Sequence, residues 1–97
     1  MEIFFTINKT INLNITMIIK AEYIADYKLK ITFNDGLVKN INLKKFVENS
    51  THPLINKYAD KKLFEKVKVE DGTICWGNNE FDINPNNIRN GMYDTNL

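Results

Sequence analysis

The chain has 97 residues, 43% of them hydrophobic and 11% aromatic, which makes one domain with one modest core and excludes a disordered polymer. Its formal net charge is +1, which excludes a global field that would draw in nucleic acid or an anionic membrane. The charge is uneven: residues 44–68 carry seven Lys against three acids, and residues 69–97 carry one Arg against five acids, so the middle and the end are complementary to each other or to a partner.

Residues 1–16 alternate, with Ile3, Phe5, Ile7, Ile11, Leu13 and Ile15 on odd positions and Thr or Asn between most of them. That is strand periodicity. The segment lacks the basic start and small-residue cleavage site of a signal peptide. Met17 is a second plausible start, so 1–16 reads as an extension outside the domain or as an extra N-terminal strand. Unpaired, such a strand is a dimerisation edge or an aggregation hazard.

Ile18 to Ile24 and Tyr27 to Phe33 read as strands. In the second, Tyr27, Leu29, Ile31 and Phe33 face one way and Lys28, Lys30 and Thr32 the other. Asn34-Asp35-Gly36 turns the chain into a return strand from Leu37 to Leu43. A three-residue loop pairs Phe33 with Leu37 and Leu29 with Ile41 and keeps the apolar face whole. A two-residue loop at Asp35-Gly36 would mix the faces.

Leu43, Phe46 and Val47 have helical spacing and predict a short helix ending near Asn49-Ser50. Pro53 predicts another first turn, with Leu54 and Tyr58 inward, and Asp60 can cap a turn through Leu63 and Phe64. Val67 to Glu70 and Thr73 to Trp76 predict a second hairpin around Asp71-Gly72, with Val69 opposite Ile74 and Val67 opposite Trp76. A short strand over Glu80 to Ile83 follows. Asn84 then caps a turn with Pro85 at its first position, Gly91 ends it, and the last residues are expected to be loose.

The segments Tyr27 to Gly36, Asn42-Leu43, Phe64 to Val69, Ile74-Cys75-Trp76-Gly77-Asn78 and Phe81-Asp82-Ile83-Asn84-Pro85 form an ordered set over about three quarters of the chain. From Met17 onward this order resembles a bacterial family, domain of unknown function 2442. The resemblance implies a small two-layer α+β fold and no known enzymatic activity. It also implies frequent neighbourhood with small proteins of another family, domain of unknown function 4160, in an arrangement suggestive of toxin–antitoxin pairs. Some relatives carry an additional helix-turn-helix domain, for which this sequence has no counterpart. The chain departs from the pattern at Arg89-Asn90, where many members have Leu-Tyr.

His52 and Cys75 are the strongest nucleophile or base candidates, but no supporting motif activates a thiolate. The plainer reading is a loop histidine before a proline and a half-buried strand residue. One cysteine permits no internal disulfide, and the expected compartment is the cytosol. One His and one Cys do not make a metal site, and no cofactor is expected. Asp35-Gly36 and Asp71-Gly72 are explained by turn chemistry. Asp82 is read as a local hydrogen-bonding residue ahead of partner contact. Trp76 is read as core ahead of interface hot spot. Lys57, Lys61, Lys62, Lys66 and Lys68 form a candidate nucleic-acid face, although Lys without Arg, interspersed with Asp60 and Glu65, is more often a solvated surface.

The sequence therefore predicts a single α+β domain over 17–93, an antiparallel sheet built from two hairpins plus short helices, and a loose tail over 94–97. Phe33, Asp35, Gly36, Asp71, Gly72, Trp76, Asp82 and Pro85 are its structural signature. The expected role is a non-enzymatic, cytoplasmic protein-interaction domain, with a small co-encoded protein as partner. The alternative is a nucleic-acid-binding regulator using Lys57 to Lys68.

Overall fold

A computed structural model describes residues 15–96. The strand expected within residues 1–16 therefore falls almost wholly outside the described residues. The described part is α+β. One three-stranded antiparallel sheet has the order β1 (Ile18–Ala25), β2 (Lys28–Phe33), β3 (Val38–Asn42). A second has the order β4 (Lys68–Glu70), β5 (Thr73–Trp76), β6 (Phe81–Ile83). Between them run α1 (Lys44–Glu48), α2 (Pro53–Asn56), a 3₁₀ turn (Lys57–Ala59) and α3 (Lys61–Phe64), and α4 (Pro85–Arg89) follows β6. The two expected hairpins are present, each in its own sheet.

The argued registers hold. Leu29 lies opposite Ile41, and the Phe33 N–H donates to the Leu37 carbonyl at 2.9 Å. Val69 lies opposite Ile74 across a two-residue turn in which Asp71 and Gly72 have φ of 52° and 78°. Gly72 is held for a second reason. Its carbonyl accepts from the Ile18 N–H at 2.8 Å, and a Cβ on Gly72 would meet the Met17 side chain at 3.1 Å. The first sheet thus begins against the turn of the second.

Leu29, Ile31 and Phe33 from β2 and Ile74, Trp76 and Ile83 from the second sheet are buried in one core. Trp76 is fully buried and stacks on Phe81 with centroids 4.4 Å apart. Its indole N–H donates to the Phe64 carbonyl at 2.7 Å, so the ring's one polar atom is satisfied. The core reading of Trp76 holds.

Three expectations are corrected. Tyr27 is not a strand residue: it sits in the β1–β2 turn at φ 68°, although its ring is buried as the alternation required. Leu54 is 43% exposed, not inward. The His52 ring accepts from the Leu54 N–H and caps a single turn; Ile55 takes the inward place beside Tyr58, which is buried as expected. The tail expected to be loose over 94–97 is partly paired. Asp94 bridges to Ile41, and the Thr95 N–H donates to the Asn40 carbonyl at 2.9 Å. The outer edge of β3 would otherwise present unpaired backbone groups, and the returning chain satisfies them.

Candidate functional site

The return of the C-terminal segment to β3 creates a cleft that neither element makes alone. Asn42 ends β3, and its side-chain oxygen accepts from the Lys44 N–H at 2.8 Å, starting α1. This places Lys44, Lys45 and Phe46 on one wall of a cleft of about 570 Å³, with Met92, Tyr93 and Asp94 on the other. Phe46 is fixed by stacking on Phe81 at 5.7 Å and by the edge of Tyr93 at 6.1 Å. Met92 is 64% exposed.

A second cleft of about 440 Å³ shares Asn42 and Lys44 with the first and adds Asp26, Tyr27, Lys28, Glu48 and Lys61. Asp26 accepts from the Lys61 ammonium at 2.7 Å. That hydrogen bond and charge, with Lys28 and Lys44 nearby, hold its carboxyl below the usual value, and Lys61 is raised in return. Asp94, on the rim of the first cleft, is paired with Lys39 at 3.0 Å. Lys28, Lys44 and Lys45 have no ion-pair partner among the described residues.

Such an arrangement sets ammonium groups beside apolar surface at one opening. Ammonium groups on flexible stems attract a carboxylate or phosphate as point charges. The aromatic and thioether wall offers adaptable apolar contact. Among the described residues no group of three or more His, Cys, Asp or Glu could hold a metal ion.

The residues singled out in the sequence are scattered around this site. His52 caps α2 and Cys75 is buried in β5, where burial pushes its thiol up; neither lines the two clefts. Lys57 bonds Glu80 at 2.7 Å and Lys61 bonds Asp26, so two of the candidate nucleic-acid lysines are neutralised by carboxylates. Lys68 pairs with Glu70 at 3.1 Å, and neither Lys62 nor Lys66 lines either cleft. Asp82 is exposed on β6 and makes no side-chain hydrogen bond among the described residues; the local cap is Asn84, whose oxygen accepts from the Asn86 N–H at 2.8 Å. Pro85 stands at the first position of α4 as expected.

Asp35 does more than make its turn. Its carboxylate accepts from the Leu37 N–H at 3.2 Å and takes a two-pronged bond from Arg89. That guanidinium also lies 5.3 Å over the Phe33 ring. Arg89 thus clamps α4 to the β2–β3 turn and holds the Asp35 carboxyl below its usual value.

Gly77 is similarly explained. A Cβ there would lie 2.6 Å from a Glu80 oxygen and 2.7 Å from the Tyr58 hydroxyl. Its absence leaves room for the Tyr58 O–H to donate to Glu80 at 2.6 Å. Burial first, and then this bond, push Tyr58 up to about 12.

No sequence motif marks the cleft residues Asn42, Lys44, Lys45, Met92 and Tyr93, and Phe46 reads only as a helix position. The one signal is the outer edge of β3, which needs covering, and the chain that covers it has no pattern of its own.

The class defined by these features is a small α+β domain of two short antiparallel sheets with a lysine-rimmed, aromatic-floored cleft. A family model described as Protein of unknown function (DUF2442) matches residues 18–93, and the chain belongs to that family. No curated protein and no solved structure matches the chain. Among the described residues no helix is long and apolar enough to cross a membrane.

Proposed function

We propose that this chain is a non-enzymatic, cytoplasmic protein-interaction domain. Its cleft between α1 and the C-terminal segment receives an acidic stretch of partner that carries an apolar side chain. The observation that supports this is the meeting of Lys44 and Lys45 with Phe46, Met92 and Tyr93 around one opening. Its size is within the range of ligand sites, roughly 300–1,000 Å³. A co-encoded small protein is the partner that the resemblance suggests.

The test is co-purification from the native host, followed by affinity measurement with the partner so obtained. The double variant Lys44→Glu, Lys45→Glu is expected to weaken binding about tenfold or more while leaving the thermal midpoint near that of the native chain. Unchanged affinity removes the cleft from the reading. A chain that binds none of its neighbouring gene products removes the reading itself.

Nucleic-acid binding through Lys57 to Lys68 has less support, because Lys57, Lys61 and Lys68 are each paired with a carboxylate. Titration with DNA and RNA at about 50 mM salt, where phosphate contacts are strong, separates the two readings.

A further inference from the structure

We propose that the acidic stretch of the partner does not end in the first cleft but continues from Lys44 past Lys28 to Lys30, along the outer face of β2. This rests on the cleft reading and deepens it: the partner segment sets its apolar side chain in the cleft and its further acids on the sheet.

The path follows from the corner at which β3 becomes α1. The two clefts share Asn42 and Lys44, so they adjoin at that corner. Across the sheet, Asn42 lies opposite Lys28, and Asn40 opposite Lys30. Leu29, Ile31 and Phe33 are buried in the core, so alternation sends Lys28 and Lys30 to the other face of β2. Lys28 lines the second cleft. Lys30 is exposed two residues further on, about 6.6 Å along the strand. Lys45, Lys44, Lys28 and Lys30 therefore form one file from the first cleft onto the sheet.

Charge selects the occupant. None of these lysines has an ion-pair partner among the described residues, whereas most acids near them are taken. Asp26 bonds Lys61 at 2.7 Å, and Asp94 bonds Lys39 at 3.0 Å. Glu22, opposite Lys30 on β1, lies 3.6 Å from Lys20. Glu48, at the end of α1 and in the second cleft, has no such partner among the described residues and repels an acid beside it. Beyond Lys44 the partner's acids therefore follow β2, not α1. The cross-strand neighbours of Lys28 and Lys30 are Asn42 and Asn40, which suit a polar segment; the apolar side chain belongs at Phe46, Met92 and Tyr93. One exposed ion pair contributes little, so the whole file is needed to set the path.

Fluorescence anisotropy with two labelled synthetic peptides tests this. One has a phenylalanine in the middle of a run of glutamates; in the other, only the glutamates next to the phenylalanine are kept and the rest are glutamine. The first is expected to bind about fivefold to tenfold more tightly, with the steeper loss on adding salt. Lys28→Glu with Lys30→Glu is expected to remove that advantage. Lys30→Glu alone, at an exposed position, is expected to weaken the first peptide about threefold and to keep the thermal midpoint, which covers the case of a double variant that unfolds. Lys62→Glu with Lys66→Glu makes the same change of net charge outside both clefts and is expected to leave the advantage in place. A native chain that binds both peptides equally overturns the path, as does a loss at Lys28 and Lys30 no larger than that at Lys62 and Lys66. If Lys44→Glu with Lys45→Glu still weakens the second peptide in those cases, the cleft reading stands and only its extension is lost. If that variant changes nothing, or the native chain binds neither peptide, the cleft reading is overturned and the extension with it.

Discussion

Two hairpin turns in this chain have nearly the same backbone and different reasons for it. Asp26-Tyr27 joins β1 to β2 at φ of 51° and 68°; Asp71-Gly72 joins β4 to β5 at 52° and 78°. Such turns favour glycine, because a side chain in the left-handed region costs roughly 1–2 kcal/mol. The second turn follows the rule, and its glycine also lets Met17 approach. The first breaks it with a tyrosine whose ring meets Phe64 edge-on at 5.2 Å and whose hydroxyl donates to the Ala59 carbonyl. Burying an aromatic side chain contributes about 1.5–3 kcal/mol, enough to offset the strain. Burial holds one turn and backbone freedom the other. The strained turn is also the one that supplies Asp26, Tyr27 and Lys28 to the second cleft.

The largest effect expected is from Tyr27→Ala, which removes the buried ring and keeps the strained φ. It should cost about 3–5 kcal/mol in urea unfolding. Tyr27→Gly removes the same ring but relieves the backbone. It should be more stable than Tyr27→Ala by about 1 kcal/mol, although glycine elsewhere is the more costly replacement. If the alanine variant is the more stable of the two, strain at Tyr27 is not a term in the balance. Gly72→Ala should come next, at about 1–2 kcal/mol, since it adds left-handed strain and presses on Met17.

These turns also mark how far the sequence could be read. Asp71-Gly72 announces its geometry in two letters, and Asn34-Asp35-Gly36 gave its register once the apolar faces were matched. Asp26-Tyr27 carries no such mark. Tyr27 alternates correctly with Leu29 and Ile31 and so reads as strand; only Phe64 and Ala59, more than thirty residues away, show why it turns. The cleft was hidden for the same reason. Lys44 and Lys45 are ordinary helix lysines until Met92 and Tyr93 come back across the sheet, and that return depends on backbone pairing at Asn40 to Asn42. Local chemistry was legible; long-range pairing was not. Arg89 falls between the two: its charge is plain in the sequence, but its role depends on Asp35, 54 residues away.

Tyr27→Phe keeps the ring and deletes only the hydroxyl. It should cost about 1 kcal/mol, and somewhat more if the Ala59 carbonyl finds no water. A loss as large as that of Tyr27→Ala would show that the hydrogen bond, not the ring, offsets the strain.

The smallest effect expected is at the neighbouring residue, and pH gives its sign. Asp26 has a carboxyl held below its ordinary value of 3.8, first by the hydrogen bond from Lys61 and then by that residue's charge. A carboxyl that binds its proton less readily when folded contributes stability above its unfolded value and loses it as pH falls through the folded one. Asp26→Asn should therefore destabilise slightly at neutral pH, and the difference from the native chain should close once the pH drops below 3.8 towards the folded value. Both partners are well exposed, so salt should shrink the difference at neutral pH as well. A difference that persists at low pH and high salt would mean that Asp26 serves the turn by something other than its charge and other than its backbone conformation, which asparagine adopts about as readily. The first turn would then owe part of its stability to the neutral Asp26 side chain as well as to the buried Tyr27 ring.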